Sequence, residues 1–343
     1  MTAKNVKLNA IGLSKEAYSG APSTLCKGCG HNAIVNQMIE ACYEESIPPE
    51  KIVKFSGIGC SSKAPTYFLS RSFGFNGLHG RMPSLATGAL FADSSLIGIG
   101  MSGDGDSVSI GMGQFKHVMR RNLPLVYIIA NNGVYGLTKG QMSATAEEGL
   151  ALKNQGQNMY MPIDIVWEAL VGQASFVARG FSGDPKQLKG LFKAALHHRG
   201  TAVIDVISPC VTFNNRDDTL QSYAWGKSHE VALHELSFVP AAEDIKVEYG
   251  KGQTAKVDLH DGTHIILKKL RQDYEPKDRG AALQLLEEAN RKQELVTGLI
   301  YIDPNQKTIF DIDYLPPSKL NRVPDEKLRP TRASLDDINA MMF

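Results

Sequence analysis

Four of the five cysteines in the sequence fall where they could build a metal or redox centre. Cys26 and Cys29 form a Cys-x-x-Cys pair in "TLCKGCGH", a spacing typical of half a zinc site, a redox dithiol or two iron–sulfur ligands. Cys60 and Cys210 each follow an apolar run, in "GIGC" and "SPC", whereas Cys42 follows the apolar face of a helical segment and is predicted to pack in the core. Two more cysteines at strand ends make a dithiol less favoured. Four thiolates would suit a four-iron cluster or a tetrahedral zinc ion equally.

A second group of polar residues follows two other apolar runs. Asp104 and Asp106 follow "LIGIGMSG" in "GDGD", and Asn132 follows "LVYIIA" in "NNGVYG". The carboxylate of Asp104, the amide oxygen of Asn132 and the backbone carbonyl of Val134 are oxygen ligands that Mg²⁺ takes together with a diphosphate. Asp-Gly and Asn-Gly are also common in ordinary turns, but their repetition after two buried strands favours a metal site. Three glycines would let the backbone approach phosphates closely: Gly103, Gly105 and Gly136.

The letters "GIGMSG" match the dinucleotide fingerprint G-x-G-x-x-G, but their context does not. These glycines lie within a strand and its exit, whereas the fingerprint needs a turn that opens a helix. It also needs an acidic residue about 20 positions later, and none occurs between Asp106 and Glu147. A nicotinamide dehydrogenase is therefore disfavoured.

Helix-like and strand-like segments alternate from about residue 31 to residue 210. Strands that are apolar throughout and separated by helices indicate a doubly wound, mostly parallel α/β sheet covered on both faces. Ligands of such sheets bind beyond the carboxyl ends of the strands, so the cysteines and the Asp and Asn turns are predicted to share one edge.

The sequence divides into three parts by composition. We predict an N-terminal arm over residues 1–20, a cofactor-binding domain over 21–210 and a C-terminal extension over 211–343. The extension is predicted to contain a small β-meander in "DIKVEYGKGQTAKVDLHDGTHIILKKL", a charged helix and a proline-studded tail with helical segments.

Charge and hydropathy exclude several classes of partner. The 37 Lys and Arg residues nearly balance the 36 Asp and Glu residues, so neither nucleic acid nor an acidic membrane surface is expected to bind. No run has the length of a signal-peptide core or a membrane span, and a cytoplasmic location is expected.

Five ordered motifs between about residues 20 and 300 resemble the β subunit of 2-oxoacid:ferredoxin oxidoreductases. They are "CKGCGH", "GIGCSSK", "HGRMPSLATGA", "GDG" followed by "NN", and "SPCVTFN". The resemblance implies the thiamine diphosphate-binding fold, with Mg²⁺ held by Asp104, Asn132 and Val134. It also implies one [4Fe–4S] cluster ligated by Cys26, Cys29, Cys60 and Cys210. The residues expected around thiamine diphosphate are Ile58, Gly59, Cys60, Ser61, His79, Gly103, Gly105, Asp106, Gly136 and Leu137.

The resemblance also implies an activity and partners. Family members decarboxylate a 2-oxoacid oxidatively, form an acyl-CoA and pass electrons to ferredoxin, a reaction that is reversible in principle. The glutamate that activates thiamine lies on a separate α subunit in the family, so an α/β interface is expected, in a dimer of αβ heterodimers. The C-terminal extension resembles that of the 2-oxoglutarate group, which makes 2-oxoglutarate the expected substrate and pyruvate or another 2-oxoacid the alternative.

Four further residues have two interpretations each. Lys63 and Lys139 follow the expected cofactor loops, where they could contact substrate or close over it, or they could be solvated surface lysines. His31 and Arg81 belong to matching motifs, but a helix cap for His31 and a carboxylate partner for Arg81 would account for them structurally.

Two rivals remain from other classes. A zinc-stabilised, non-catalytic α/β binding module would use the same four thiolates. A non-oxidative thiamine decarboxylase would not need four cysteines beside its cofactor.

Overall fold

The structure is a computed structural model that describes residues 7–153, 155–215, 220–235, 254–258, 264–269, 274–316 and 319–342. The described strands are β1 (Ile52–Ser56), β2 (Phe73–Asn76), β3 (Ile97–Gly103), β4 (Leu125–Asn131), β5 (Val134–Tyr135), β6 (Gln141–Met142), β7 (Ala151–Leu152), β8 (Gly156–Gln157), β9 (Phe176–Phe181), β10 (Thr201–Ile207), β11 (Glu230–Ala232), β12 (His234–Glu235), β13 (Thr254–Asp258), β14 (His264–Lys269) and β15 (Leu295–Ile302).

The described α-helices are α1 (Gly30–Glu44), α2 (Met82–Ala92), α3 (Met112–Arg120), α4 (Ile165–Val171), α5 (Pro185–His197), α6 (Tyr223–His229), α7 (Arg279–Lys292), α8 (Ile309–Ile312), α9 (Asp325–Leu328) and α10 (Arg332–Met342). Short 3₁₀ segments cover Lys15–Tyr18, Pro49–Lys51, Cys60–Thr66 and Leu320–Arg322, and a turn of π-helix covers Gly105–Ile110. None of these helices combines the length and the apolar character needed to cross a bilayer.

Eight of the described strands form one sheet in the order β11-β15-β9-β10-β4-β3-β1-β2. Every neighbouring pair is parallel except β15 and β9, which run antiparallel. The predicted α/β class and mostly parallel sheet are confirmed. The central strands are mostly apolar and completely buried, as a sheet covered on both faces requires.

Two hydrophobic cores lie on opposite faces of this sheet. Helices α1 and α5 pack on one face, and α2, α3, α4 and α7 pack on the other. Alternate strand residues point to opposite cores, as for Ile128 and Ile129 of β4. This arrangement confirms the doubly wound prediction.

Side-chain caps explain where several of these helices begin. The carboxylates of Asp164, Asp184 and Asp278 accept hydrogen bonds from backbone N–H groups in the first turns of α4, α5 and α7. Pro185 follows Asp184 at the first position of α5, where its missing N–H costs nothing.

The segment after residue 210 contributes to the main sheet as well as to the periphery. β11 and β15 both belong to the sheet, and α7 packs on one of its cores. The predicted boundary between residues 210 and 211 stays a prediction. Of the predicted β-meander, β13 and β14 pair antiparallel, with Thr254 opposite Lys268, whereas residues 244–253 and 259–263 lie outside the described residues. The predicted helical tail is confirmed in α8, α9 and α10.

Candidate cofactor and cluster site

The carboxyl ends of four parallel strands meet at one edge of the sheet. In the register of the sheet, Ser56 at the end of β1 lies opposite Met101, and Gly103 at the end of β3 lies opposite Ala130. Asn131 at the end of β4 lies opposite Ile207 at the end of β10. The loops that follow these strands carry the predicted ligands and therefore emerge side by side.

Asp104 lies at the centre of a buried hydrogen-bond network. Its side chain is 1% exposed, and its carboxylate accepts hydrogen bonds from the hydroxyls of Ser143 and of Thr145, the latter at 2.7 Å. The backbone N–H of Asn132 also donates to it, at 3.4 Å. Burial raises the pKa of Asp104, while these three donors oppose the rise. A divalent cation would compensate the charge of such a buried carboxylate, so the donor set fits Mg²⁺.

Asn132 begins a turn that brings its own side chain and Val134 together. The N–H of Val134 donates to the Oδ1 atom of Asn132 at 3.1 Å, which leaves that oxygen a second lone pair for a ligand. Both residues are buried, at 5% and 4% exposed. Between them Gly133 has a φ of +71°, in the left-handed region that favours glycine. The structure thus brings the three predicted magnesium ligands together, with Asn132 and Val134 in one buried turn and Asp104 hydrogen-bonded to that turn.

Asp106 joins two loops of the site. Its carboxylate accepts hydrogen bonds from the Ser102 hydroxyl at 2.6 Å and from the Gly80 N–H at 2.8 Å. A Cβ at Gly57 would overlap both the Asp106 carboxylate and the Ser102 hydroxyl. Asp106 is therefore positioned to hold the "HGR" loop, whereas His79 in that loop is exposed.

A hydroxyl without a hydrogen-bond partner lies between the loops that follow β1 and β3. Ser61 is 1% exposed, yet its Oγ has no hydrogen-bond partner. A Cβ at Gly103 would lie 3.1 Å from this oxygen and 4.0 Å from the Ile58 carbonyl oxygen. Gly59 just before the cysteine has a φ of +104°. Because a buried hydroxyl needs a partner, a phosphate oxygen at this point would satisfy it, and the residues fit the diphosphate of thiamine diphosphate.

Tyr135 covers the other predicted phosphate loop. Its ring lies where a Cβ on Gly105 would stand, and its hydroxyl donates to the Gly105 carbonyl at 3.1 Å. The next residues, Gly136 and Leu137, turn outward, and Leu137 is 49% exposed. The predicted cofactor loops are therefore buried at their base and open at their rim.

Two of the four predicted cluster ligands, Cys60 and Cys210, lie beside Gly136. A Cβ at Gly136 would lie 3.5 Å from the Cys60 Sγ and 3.8 Å from the Cys210 Sγ. Burial raises the pKa of the Cys29 thiol to about 11, and the three other thiols, including that of Cys26, add to this rise through their proximity. All five cysteines of the chain are free thiols.

The spacing of these thiols restricts what they could bind. In the described part of the chain, no three His, Cys, Asp or Glu side chains are spaced to hold one metal ion. Because thiolates are the usual protein ligands of iron–sulfur clusters, the donor chemistry fits a [4Fe–4S] cluster.

The remaining predicted residues occupy different surroundings. Cys42 is completely buried within α1, as predicted for a core residue. His31 does not cap its helix; its Nδ1 forms a 2.7 Å hydrogen bond with the Ser208 hydroxyl, and burial lowers its pKa to about 4. Arg81 is exposed and has no carboxylate partner among the described residues.

The two lysines differ in exposure. Burial raises the pKa of the Cys60 thiol, and the charge of the half-buried Lys63 opposes this rise. Lys139 is exposed and adopts a φ of +77°, which is unusual for a residue with a side chain. Neither ammonium group forms an ion pair within the described residues.

Sequence reasoning missed several residues that hold the predicted ligands. Ser143 and Thr145 lie in the polar segment "QMSATAEE", where nothing in the spacing relates them to Asp104. Asn214 belongs to the motif "SPCVTFN", whose pattern assigns it no role. Its Nδ2 donates to the Asn132 carbonyl at 3.0 Å.

Comparison with known proteins identifies a matching family model and several relatives. Residues 57–206 match the family model described as the C-terminal thiamine pyrophosphate-binding domain of thiamine pyrophosphate enzymes. The chain is 36% identical over 196 residues to 2-oxoglutarate synthase subunit KorB of Methanocaldococcus jannaschii, a match that covers 57% of this chain and 72% of that protein.

Two further relatives extend this comparison. The chain is 42% identical over 191 residues to the 2-oxoacid:ferredoxin oxidoreductase subunit beta of Saccharolobus solfataricus, which covers 55% of this chain and 63% of that subunit, less than two thirds of its length. A solved 2-oxoglutarate:ferredoxin oxidoreductase from Magnetococcus marinus, with 2-oxoglutarate, coenzyme A and succinyl-CoA bound, is similar over 96% of each chain, with a TM-score of 0.72 and 27% identity. The likeness confirms the predicted thiamine diphosphate-binding fold.

Proposed function

This chain belongs to the family of 2-oxoacid:ferredoxin oxidoreductase β subunits, and from that premise we propose that it is the β subunit of a 2-oxoglutarate:ferredoxin oxidoreductase. The proposed reaction is the CoA-dependent oxidative decarboxylation of 2-oxoglutarate to succinyl-CoA and CO₂. Electrons would pass through one [4Fe–4S] cluster to ferredoxin.

One observation carries this proposal: the predicted thiamine loop lies against two of the predicted cluster cysteines. Gly136, in the loop that begins with the predicted magnesium ligand Asn132, has its α-carbon face toward the thiols of Cys60 and Cys210. A decarboxylase without an electron acceptor would not need four thiols against its cofactor loop.

The residues of this chain have distinct proposed tasks around the two centres. When bound, thiamine diphosphate accepts the electron pair of the bond to the departing carboxylate, and an iron–sulfur cluster accepts electrons singly. Asp104, Asn132 and the Val134 carbonyl would hold Mg²⁺, and Ser61 would donate to the diphosphate. Asp106 would hold the "HGR" loop in place through its bond to the Gly80 N–H.

Substrate choice is proposed to depend on the two lysines beside the cofactor loops. The solved relative binds 2-oxoglutarate, and several relatives carry the name 2-oxoglutarate synthase. The second carboxylate of 2-oxoglutarate would gain a charge-assisted hydrogen bond from Lys63 or Lys139. Pyruvate has a methyl group at that position and would gain nothing from either lysine.

The exposed rim of the site supports a partner chain. Leu137 and Leu78 are 49% and 76% exposed beside buried cofactor loops. We propose that an α subunit covers this rim and supplies the activating glutamate and contacts to coenzyme A, in a dimer of αβ heterodimers located in the cytoplasm. Ferredoxin would be the electron acceptor of the assembly.

The first test addresses the cluster. The chain would be purified without oxygen, together with the subunit that co-purifies, and iron, sulfide, zinc and thiamine diphosphate would be measured. Cys29→Ser should lower iron content and bleach the visible absorption, whereas Cys42→Ser, in the core, should leave both unchanged. A colourless protein that contains zinc would overturn the proposal and favour the binding module.

The second test addresses the substrate. Reduction of a viologen dye would be followed with 2-oxoglutarate or pyruvate, with and without coenzyme A. Lys63→Met or Lys139→Met should raise KM for 2-oxoglutarate about tenfold or more, because a charge-assisted hydrogen bond contributes about 1.5–3 kcal/mol. The same change at exposed Lys51 should have no effect. Faster reduction with pyruvate would overturn the substrate assignment, and aldehyde release without dye reduction would indicate a non-oxidative decarboxylase.

A further inference from the structure

The loop that carries Cys210 also contacts the loops predicted to hold Mg²⁺ and thiamine diphosphate. We name residues 210–214 the 210–214 loop. The N–H groups of Phe213 and Asn214 both donate to the Cys210 carbonyl, at 3.2 and 2.9 Å, which folds the loop back on its own cysteine. The Thr212 hydroxyl lies 3.7 Å from the Cys26 Sγ, so the loop contacts a second predicted cluster ligand.

The far end of this loop reaches the magnesium turn through Asn214. This residue is completely buried, and its Nδ2 donates to the Asn132 carbonyl at 3.0 Å and to the Gln221 Oε1 at 3.4 Å. Both neighbours of the amide nitrogen are acceptors, which fixes the orientation of the amide group. A Cβ at Gly133 would lie 2.9 Å from Nδ2, so the glycine leaves the space that this contact needs.

A second branch runs from Asn214 to the other predicted magnesium ligand. The Nε2 of Gln221 donates to the Thr145 carbonyl at 3.4 Å, and the Thr145 hydroxyl donates to Asp104 at 2.7 Å. Through the amide of Asn214, the 210–214 loop therefore contacts the backbone of the predicted ligand Asn132. By way of Gln221 it also reaches Thr145, the hydrogen-bond partner of the other predicted ligand, Asp104.

The middle of the loop contacts the predicted thiamine loop. A Cβ at Gly140 would lie 2.6 Å from the Phe213 ring, and the φ of Gly140 is +93°. The N–H of Gly140 donates to the Tyr135 carbonyl at 3.0 Å and closes residues 135–140, which include Gly136 and Leu137. The Phe213 ring thus packs against Gly140, the residue whose hydrogen bond to Tyr135 closes this loop.

We propose that Asn214 is a positioning residue that couples the two centres, so that loading the cluster tightens the binding of Mg²⁺ and thiamine diphosphate, and the reverse. This inference rests on the proposed function. A bound cluster would hold Cys210 at its sulfur in addition to the hydrogen bonds at its carbonyl, so Asn214 would fix the Asn132 turn more firmly. Coupling between binding sites is reciprocal, so Mg²⁺ and thiamine diphosphate must stabilise the bound cluster by the same factor.

The test compares cofactor affinity with the cluster present and absent. The full chain with its co-purifying subunit would be freed of thiamine diphosphate, and half of the sample would also be stripped of iron by a chelator. Calorimetry at saturating Mg²⁺ would give the Kd of thiamine diphosphate for each half. In the unaltered protein we expect the stripped sample to bind at least about fivefold more weakly.

Asn214→Leu removes the amide while keeping a side chain of similar size. It should reduce this stripped-to-loaded ratio at least about threefold, since the charges of the cluster and of Mg²⁺ are unchanged and only the contact is lost. Gln187→Leu is the matched control, because Gln187 in α5 is another buried amide with an unpartnered oxygen, and its Nε2 donates to the Thr297 hydroxyl rather than to a predicted ligand. It should retain the original ratio.

If Asn214→Leu does not fold, Asn214→Ser, which is smaller and still polar, takes its place, with folding checked by thermal unfolding.

The remaining outcomes separate the inference from the proposed function. An unchanged ratio in the Asn214 variant, or a ratio near one in the unaltered protein, would overturn the coupling and leave the proposed function standing. An unaltered protein that binds neither iron nor thiamine diphosphate would overturn both. As a second readout, Mg²⁺ and thiamine diphosphate should slow iron release to a chelator less in Asn214→Leu than in the control.

Discussion

Adding one methyl group at Gly136 should separate folding from cluster binding. The Cβ of Gly136→Ala would lie 3.5 Å from the Cys60 Sγ and 3.8 Å from the Cys210 Sγ, which are ordinary van der Waals distances. Gly136 is also absent from the positions with positive φ. The cluster-free chain should therefore tolerate alanine within about 0.5 kcal/mol of unfolding free energy. The methyl group nevertheless projects into the space between two proposed iron ligands, so iron content should fall to less than about half.

Gly140→Ala, four residues later, provides the contrasting case. Its φ of +93° costs an alanine about 1–2 kcal/mol, and its Cβ would lie 2.6 Å from the Phe213 ring. Overpacking against the half-buried Phe213 ring adds about 1–3 kcal/mol, so the loss should total about 3 kcal/mol. This variant should unfold at a lower temperature in the cluster-free state, where Gly136→Ala does not.

The assay measures thermal unfolding of the cluster-free chains, then iron, sulfide and visible absorption after anaerobic reconstitution. The expected pattern for Gly136→Ala is an unchanged unfolding temperature with reduced iron. A Gly136→Ala protein that takes up iron with the original spectrum would refute the placement of the cluster beside this loop. A large loss of stability in that variant would refute the packing argument itself.

Three other substitutions test the scaffold of the site. Lys54→Met should lower the unfolding free energy by about 3 kcal/mol, because the buried ammonium donates hydrogen bonds to three backbone carbonyls at 2.6–2.9 Å. The cost of burying the charge offsets part of the value of these bonds. Urea unfolding should show no such loss for the control Lys51→Met, which changes an exposed lysine. Thr145→Val should weaken binding of thiamine diphosphate with Mg²⁺ about tenfold in calorimetry, since it removes a donor to the predicted magnesium-binding carboxylate, whereas Thr87→Val in α2 should not. Burial lowers the pKa of His198 to about 4, so the unfolded chain binds a proton at this histidine before the folded chain does as pH falls. The unfolding free energy should therefore drop by about 3 kcal/mol from pH 6.5 to pH 4. Denaturation of His198→Gln over this range should lack this part of the dependence of unfolding free energy on pH.

Much of the scaffold was predictable because its signals are local. Continuous apolar runs such as β4 and β10 are typical of strands that are buried on both faces of a sheet. The start of α5 at Pro185 follows from an aspartate cap and a proline in the first turn. The ends of these strands then set the edge at which the ligands meet, because parallel strands share a direction.

Other parts of the fold depend on contacts that the sequence does not state. β2 has the sequence "FGFN", is exposed along its length and becomes a strand only because it pairs with β1. β15 is an apolar run in the C-terminal extension, but its place beside β9 is a pairing across more than a hundred residues. After the "GDGD" turn the chain first forms a turn of π-helix from Gly105, and α3 begins only at Met112.

Residue type and spacing select the predicted ligands, but they do not select the residues that hold those ligands in place. Motif residues are recognised by type and spacing, but Thr145 reaches Asp104 only after the chain has looped back across the sheet edge. Lys139 shows the same limit, because its positive φ follows from the closure of a loop by Gly140 rather than from any preference of lysine.

The distribution of exposure separates two tasks within the site. The side chains proposed to hold Mg²⁺ are at most 5% exposed, and each is held by hydrogen bonds from this chain alone. Leu137 and Leu78, at the rim of the same loops, are 49% and 76% exposed. Burial of the ligands makes the cofactor geometry a property of this fold, since the hydrogen bonds that orient them are already made here. The apolar rim, in contrast, is open to water in this chain, and a second surface that covers it would stabilise it. The chain therefore fixes where the cofactors would sit and leaves closure of the site over the substrate to the surface that meets its rim.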